Sequence, residues 1–224
     1  MSAEGRTENA PAGLRYDLSV IAGWIEPGST VLDLGCGNGE LLWYLKREKG
    51  VTGTGIEADE EQVAACIHRG VPVIQGDLNE EIADYPDGAF DYVILSRTLQ
   101  QVYEPDRLVR HLLRIGRRAV VSFPNFGHIG CRLQLLMTGY APKTAQLPYE
   151  WYNTPNIRII TIKDFHRFAT EIGFDIQAEV AINTDSEDKR GRIVRLLPNL
   201  FATYGIFLIA PKTPMSSGTG HNKG

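Results

Sequence analysis

Leu14, Leu18, Ile21 and Ile25 recur at helical spacing and Pro27-Gly28 stops them, so the chain opens with an amphipathic helix. Val31-Leu32-Asp33-Leu34 follows, an apolar run too short for a helix and closed by a glycine cluster, which reads as a buried strand. Leu41, Leu42 and Leu45 share a helical face ended by Gly50, and Val51 to Ile56 predicts a second strand ending at Glu57. Strand, helix and strand thus fit within about thirty residues, the usual size of such a unit. The alternation continues with a helix at Val63, Ala64 and Ile67, stopped by Gly70, and strands at Val71 to Ile74 and Phe90 to Leu95. A helix at Leu108, Leu112 and Ile115 precedes a fifth strand, Ala119 to Phe123; a late helix at Phe165, Phe168 and Ile172 precedes strands at Ile176 to Ile182 and Tyr204 to Ile209. Parallel neighbours need right-handed crossovers, so this order predicts a doubly wound α/β domain with helices on both faces of a mostly parallel sheet.

Between the fifth strand and the late helix, residues 124–157 are long and irregular, with Phe126, His128, Tyr140, Tyr149, Trp151 and Tyr152 interspersed with Pro142, Pro148 and Pro155. Such a stretch predicts a lid or binding loop inserted in a domain spanning 14–210, with one short helix at Leu133, Leu135, Leu136 and Met137. A polar lead, 1–13, and a Ser- and Gly-rich tail, 211–224, are expected to be disordered.

Composition narrows the classes. Hydrophobic residues make up 43% of the 224 and charged residues 22%, the balance of a globular chain. Lys plus Arg is 23 against 27 for Asp plus Glu, and a net charge of −4 gives no reason to sit on nucleic acid or an anionic membrane. The lead lacks the apolar core of a signal peptide, and no window approaches the roughly 18 apolar residues of a span, so a cytoplasmic location is expected. Cys36, Cys66 and Cys131 have neither disulfide-framework nor zinc spacing, and no metal is expected.

The chemistry concentrates at strand ends. The turn Asp33-Leu34-Gly35-Cys36-Gly37-Asn38-Gly39-Glu40 opens a helix, where glycines admit a ligand to the main chain and unpaired N–H groups can hold an anion. Its G-x-G-x-G spacing differs from the G-x-G-x-x-G of dinucleotide sites, which points to S-adenosylmethionine (SAM), whose anionic part is one carboxylate. Glu57 ends the second strand, where an acid can accept both ribose hydroxyls. Asp77 can accept from the adenine amino group while Leu78 covers the ring; Asp33 can orient the methionyl amino group through water, and Ser96 lines the pocket. All fall at carboxyl ends of strands, the crevice of an open α/β sheet. Plain turn chemistry is the competing account of the glycines. Cys36 is read as a small filler, and His128 either as a structural histidine or as a base.

Several strings carry a family resemblance. Arg15-x-Asp17-Leu18, Val31 to Gly37, Val73-Ile74-Gln75-Gly76-Asp77, Phe90 to Leu95, Thr98-Leu99-Gln100, Val121 to His128, Leu147 to Tyr152 and Thr154-Pro155-Asn156-Ile157 resemble the methionine biosynthesis protein MetW family. The resemblance implies a class I methyltransferase fold, Rossmann-like, with seven strands and the last antiparallel. It also implies SAM as cofactor and a role in methionine biosynthesis, assisting homoserine O-acyltransferase in a complex. An active SAM-dependent methyltransferase on a small molecule is the alternative; for it Asn125, His128, Tyr149 and Tyr152 are the polar groups placed to flank an acceptor. For the partner reading, Tyr149 to Tyr152 and the apolar run Ile193, Leu196, Leu197, Leu200 and Phe201 are the candidate contact surfaces.

Overall fold

A computed structural model of the chain describes residues 14–185 and 188–212. The expectations of disorder for 1–13 and for the tail beyond 212 fall outside these residues. Pro211, taken from sequence as the start of the tail, instead closes the last strand.

The chain runs α1 (Tyr16–Trp24), β1 (Thr30–Leu34), α2 (Glu40–Lys49), β2 (Thr52–Glu57), α3 (Glu60–His68), β3 (Val73–Gln75), α4 (Leu78–Glu81), β4 (Phe90–Ser96), α5 (Pro105–Ile115) and β5 (Gly116–Pro124). It continues with α6 (Ile129–Thr138), α7 (Ile162–Ile172), β6 (Phe174–Asn183), β7 (Arg192–Ile193), α8 (Pro198–Phe201) and β8 (Tyr204–Pro211). The strands form one sheet in the order β3-β2-β1-β4-β5-β8-β6-β7. Pairing is parallel from β3 to β5, and β8 is antiparallel to both β5 and β6. The sheet has eight strands rather than the expected seven. The addition is β7, which meets β6 only at Ile182↔Ile193 and Asn183↔Arg192 and is too short to leave a periodic signal.

Strand alternation divides the core between the two faces. Leu32, Leu34, Val93, Leu95, Val121 and Phe123 pack with Leu108, Leu112 and Phe165 of α5 and α7 on one side. Val31, Tyr92, Ile94 and Val120 pack with Ile21, Leu41, Leu45 and Cys66 of α1, α2 and α3 on the other. Parallel strands buried on both faces read as continuous apolar runs, which is why β1, β4 and β5 stand out in the sequence. Left-handed glycines end α2 at Gly50 (φ 62°) and α7 at Gly173 (φ 84°), where a Cβ would be strained. Thr161 and Asp164 start α7 with a reciprocal capping box.

The build direction reverses between β1 and β4, since β2 and β3 extend the sheet one way and β4 and β5 the other. The crevice beyond the carboxyl ends of those two strands is where such sheets bind ligands. Within 124–157 the one helix is α6, longer than expected; its leucines 133, 135 and 136 and Met137 are exposed, and Cys131 is its buried residue.

Candidate functional site

The loop after β1 turns on three left-handed glycines, Gly35 (φ 70°), Gly37 (φ 53°) and Gly39 (φ 72°). Gly35 also answers to space: a Cβ there would lie 2.7 Å from Thr98 Oγ1. Five of the loop amides, expected from sequence to be open to an anion, are already bonded within the protein. Gly35 and Cys36 N–H both donate to the Ile56 carbonyl (2.8 and 3.2 Å), Gly37 N–H to Glu57 Oε2 (2.8 Å), Gly39 N–H to the Cys36 carbonyl (3.1 Å) and Glu40 N–H to Asn38 Oδ1 (3.1 Å). The loop is pinned to β2 and to itself because β1 and β2 are adjacent and in register up to Leu34↔Ile56.

Two adjoining cavities open at the carboxyl edge. The first, about 350 Å³, is walled by Asp33, Gly35, Gly37 and Ser96, together with Arg15, Asn38, Gln62 and Arg97. The second, about 390 Å³, is walled by Glu57, Asp77 and Leu78, with Thr98 and Gln101. Gly35, Ser96 and Arg97 border both. The structure therefore brings all seven sequence-derived candidates to one crevice. Arg15, Arg97 and Gln62 carried no sequence signal as pocket walls, and Asn38 carried one only as part of the glycine turn.

Each acid is held differently. Asp33 is buried, and its pKa is pushed up to about 7 by loss of solvent and by the negative charge of Glu57, against the opposing pull of Arg15. Glu57 accepts three main-chain N–H groups: Gly37 on Oε2, and Ala58 (2.9 Å) and Asp59 (3.0 Å) on Oε1. That carboxylate is fixed in place at the end of β2. Asp77 caps α4, accepting Asn79 N–H (2.7 Å) and Nδ2 (2.8 Å), both on Oδ1. Ser96 Oγ lies 3.0 Å from Ser122 Oγ.

Arg97 is a non-glycine residue with φ 59°, a conformation that persists only where surroundings enforce it. Its N–H donates to the Ser122 carbonyl (2.9 Å), its Nε lies 2.8 Å from Asp17 Oδ2, and its guanidinium sits 4.5 Å above the Tyr204 ring. Cys36 Sγ lies 3.9 Å from Cys66 Sγ and occupies the space a Cβ on Gly55 would need, and burial pushes both thiols up in pKa. Among the described residues, no group of three or more His, Cys, Asp or Glu could hold a metal ion, and no helix is long and apolar enough to cross a membrane.

The four groups expected beside a methyl acceptor are not on these walls. Asn125 is buried and staples the fold: its Nδ2 donates to the carbonyls of Asn199 (3.1 Å) and Ala202 (2.9 Å), and its Oδ1 accepts from Gly127 (3.0 Å) and Ile162 (3.4 Å). His128 caps α6, its Nδ1 accepting Gly130 N–H at 3.0 Å, and burial lowers its pKa. Tyr149 lines a separate cleft of about 260 Å³ with Phe126, Pro142 and Trp151, and Tyr152 is exposed. Short polar side chains satisfied by neighbouring backbone look the same in sequence as chemical groups.

A parallel sheet reversing at β1 and β4, an antiparallel β8, a glycine loop after β1 and an acid ending β2 define the class I methyltransferase fold. Solved structures share it. A SAM-dependent methyltransferase of Thermotoga maritima, described as a possible histamine N-methyltransferase, superimposes with a TM-score of 0.61 at 17% identity, over 88% of this chain and 87% of that one. The [4+2]-cyclase SpnF superimposes with a TM-score of 0.60 at 18% identity, over 92% and 86%. Within this class the chain belongs to the methionine biosynthesis protein MetW family, whose sequence profile matches residues 15–209. The bifunctional methionine biosynthesis protein MetXA/MetW of Rhodopirellula baltica is 37% identical over 193 residues, covering 80% of this chain and 31% of the relative. The chain thus spans about a third of that relative's length.

Proposed function

We propose that this protein serves methionine biosynthesis by forming a complex with a homoserine O-acyltransferase and raising its activity, and that its crevice takes SAM. The observation that carries the partnership is the R. baltica relative, in which a MetW portion shares one polypeptide with a portion named MetXA, read here as the acyltransferase. Fusion holds two modules at high effective concentration, an arrangement useful where separate chains otherwise meet by diffusion. The surface supports the same reading. Leu136, Met137, Tyr140, Trp151 and Leu196 are more than three-quarters exposed, with Tyr152 close behind. Exposed large apolar groups in contact, as Trp151 and Tyr152 are, support an interaction surface.

For SAM, the support is charge and shape. Asp33, Glu40, Glu57 and Asp77 stand on the crevice walls against Arg15 and Arg97, a net acidic lining that repels phosphates and suits a nucleoside carrying a sulfonium. When bound, SAM would supply an electrophilic methyl group. Glu57 would take the ribose hydroxyls, Asp77 and Leu78 the adenine, and Asp33 the amino group.

Mixing the purified chain with homoserine O-acyltransferase and following acyl transfer tests the partnership. The expected result is co-elution and a faster rate; separate elution with an unchanged rate overturns it. The alternative, methyl transfer to a small molecule, is favoured by the crevice itself, and labelled SAM incubated with cell extract would then label an acceptor. The engagement of Asn125 and His128 in capping and stapling bonds argues for the partner reading.

A further inference from the structure

The chain carries a net charge of −4, yet one surface loop gathers cations. Lys189, Arg190, Arg192 and Arg195, around and within β7, are all exposed. Among the described residues none of the four pairs with a carboxylate, whereas Arg107, Arg114, Arg118 and Arg167 elsewhere on the surface each hold one. Directly after the cations come Leu196 and Leu197, 76% and 57% exposed. Leu197 has φ 48°, a left-handed conformation that a branched residue keeps only where its surroundings enforce it. They do so here: Leu200 and Phe201 N–H donate to its carbonyl (2.8 and 3.1 Å), and Asn199 anchors α8, its Oδ1 accepting Lys163 N–H (3.1 Å) and its carbonyl accepting Asn125 Nδ2 (3.1 Å). On the other flank Val194 N–H donates to the Ala181 carbonyl (2.8 Å) and Thr184 Oγ1 to that of Arg190 (2.8 Å). The backbone that presents the cations and the leucines is thus set before any partner arrives, which lowers the cost of ordering it on binding. Gln146 Nε2 donates to the Thr184 carbonyl (3.0 Å), so this loop adjoins the insertion that bears Trp151.

We infer that residues 189–197 form a docking surface for a segment of a partner protein that sets carboxylates against Lys189, Arg190, Arg192 and Arg195 and an apolar side chain against Leu196 and Leu197. This rests on the partnership reading above and deepens it: the acyltransferase meets this loop with an acidic patch around an apolar anchor. The cations steer the encounter and set its rate, and the leucines hold the complex once formed. A polyphosphate would satisfy the cations alone. It would leave the leucines in water and would be opposed by Asp185, Glu187 and Asp188, which stand just before the cations in the chain.

Association and dissociation rates of the full chain with purified homoserine O-acyltransferase, measured on a biosensor from about 50 to about 500 mM salt, test this. Wild-type association is expected to slow at least about tenfold across that range, because steering by exposed charges is screened. Arg192→Glu combined with Arg195→Glu should slow association at low salt at least about tenfold, Arg192→Lys combined with Arg195→Lys should stay within about twofold of wild type, and Leu196→Asp should speed dissociation at least about fivefold. The salt series needs no variant, so it stands whatever the substitutions do to folding. A complex whose association ignores salt, or whose rates in the charge-reversed variant stay within about twofold of wild type, overturns the inference and leaves the partnership intact. So does sedimentation of the wild-type chain with phosphatidylserine vesicles that the charge-reversed variant loses, which assigns the loop to a lipid surface. No complex with the wild-type chain at any salt overturns the partnership reading and the inference with it.

Discussion

Replacing Asp33 by Asn should make this protein more stable at pH 8 and leave its stability near pH 3 unchanged. Asp33 is 3% exposed, and burial with the charge of Glu57 raises its pKa from the ordinary 3.8 to about 7. Well below pH 3.8 the carboxyl is neutral in folded and unfolded chains alike. Between about pH 4 and 7 the unfolded chain releases the proton while the folded chain keeps it, so rising pH draws the equilibrium toward unfolding. At roughly 1.36 kcal/mol per unit, the contribution lost by pH 8 is about 4 kcal/mol. Asparagine has the same shape and no titration, so it escapes this loss. Urea unfolding of the ligand-free protein and the variant, run from pH 5 to pH 8.5, reads the gap directly. It should widen from about 1–2 kcal/mol at the acid end to about 4 kcal/mol above pH 7, equivalent to roughly 10 °C in melting temperature for a chain of this size. A gap that does not change with pH, or a variant less stable than wild type at pH 8, would refute the reasoning. The charge retained at this cost then requires a function, and SAM affinity should fall as pH drops below 7 in the wild type and lose that dependence in the variant.

Glu57→Ala should weaken S-adenosylhomocysteine binding by roughly 1.5 to 3 kcal/mol, the range for charge-assisted bonds, and an unaltered dissociation constant by calorimetry would move the ribose elsewhere. Asn125→Ala removes a side chain joining β5 to residues 199 and 202 and to the start of α7. It should cost about 2 to 4 kcal/mol in urea unfolding, and a loss under about 1 kcal/mol would mean the staple is idle. Leu136→Asp combined with Trp151→Asp changes exposed positions, so stability should stay within about 0.5 kcal/mol per site while co-elution with homoserine O-acyltransferase is lost; retained co-elution moves the interface away from this surface.

The sheet was legible because its central strands are buried on both faces and the helices α5 and α7 are amphipathic; α1, expected to be amphipathic, is buried at Tyr16, Asp17, Leu18, Val20, Ile21 and Ala22. Val31 to Leu34 and Phe90 to Leu95 leave short apolar runs, and Leu108, Leu112 and Ile115 share one helical face. What escaped was short or tertiary. β7 and α8 hold two and four residues and have no period. The insertion of β8 between β5 and β6 is a matter of spatial order, which periodicity does not encode. At the crevice, Asp33, Glu57, Asp77 and Ser96 could be placed on the walls because their positions at or near strand ends follow from the strands themselves. Arg15 and Arg97 could not, because a long side chain's destination depends on its partner, here Asp17. The glycine loop was legible as a strand-to-helix turn, but the N–H groups of Gly35, Cys36 and Gly37 bond to Ile56 and Glu57, a pairing only the packed sheet reveals.

The most direct test is a crystal structure of the full chain grown with S-adenosylhomocysteine. The predicted density lies across the two cavities, with ribose hydroxyls on Glu57, adenine over Leu78 and the amino group beside Asp33. A nucleoside bound elsewhere, or a crevice empty at saturating ligand, would contradict the account.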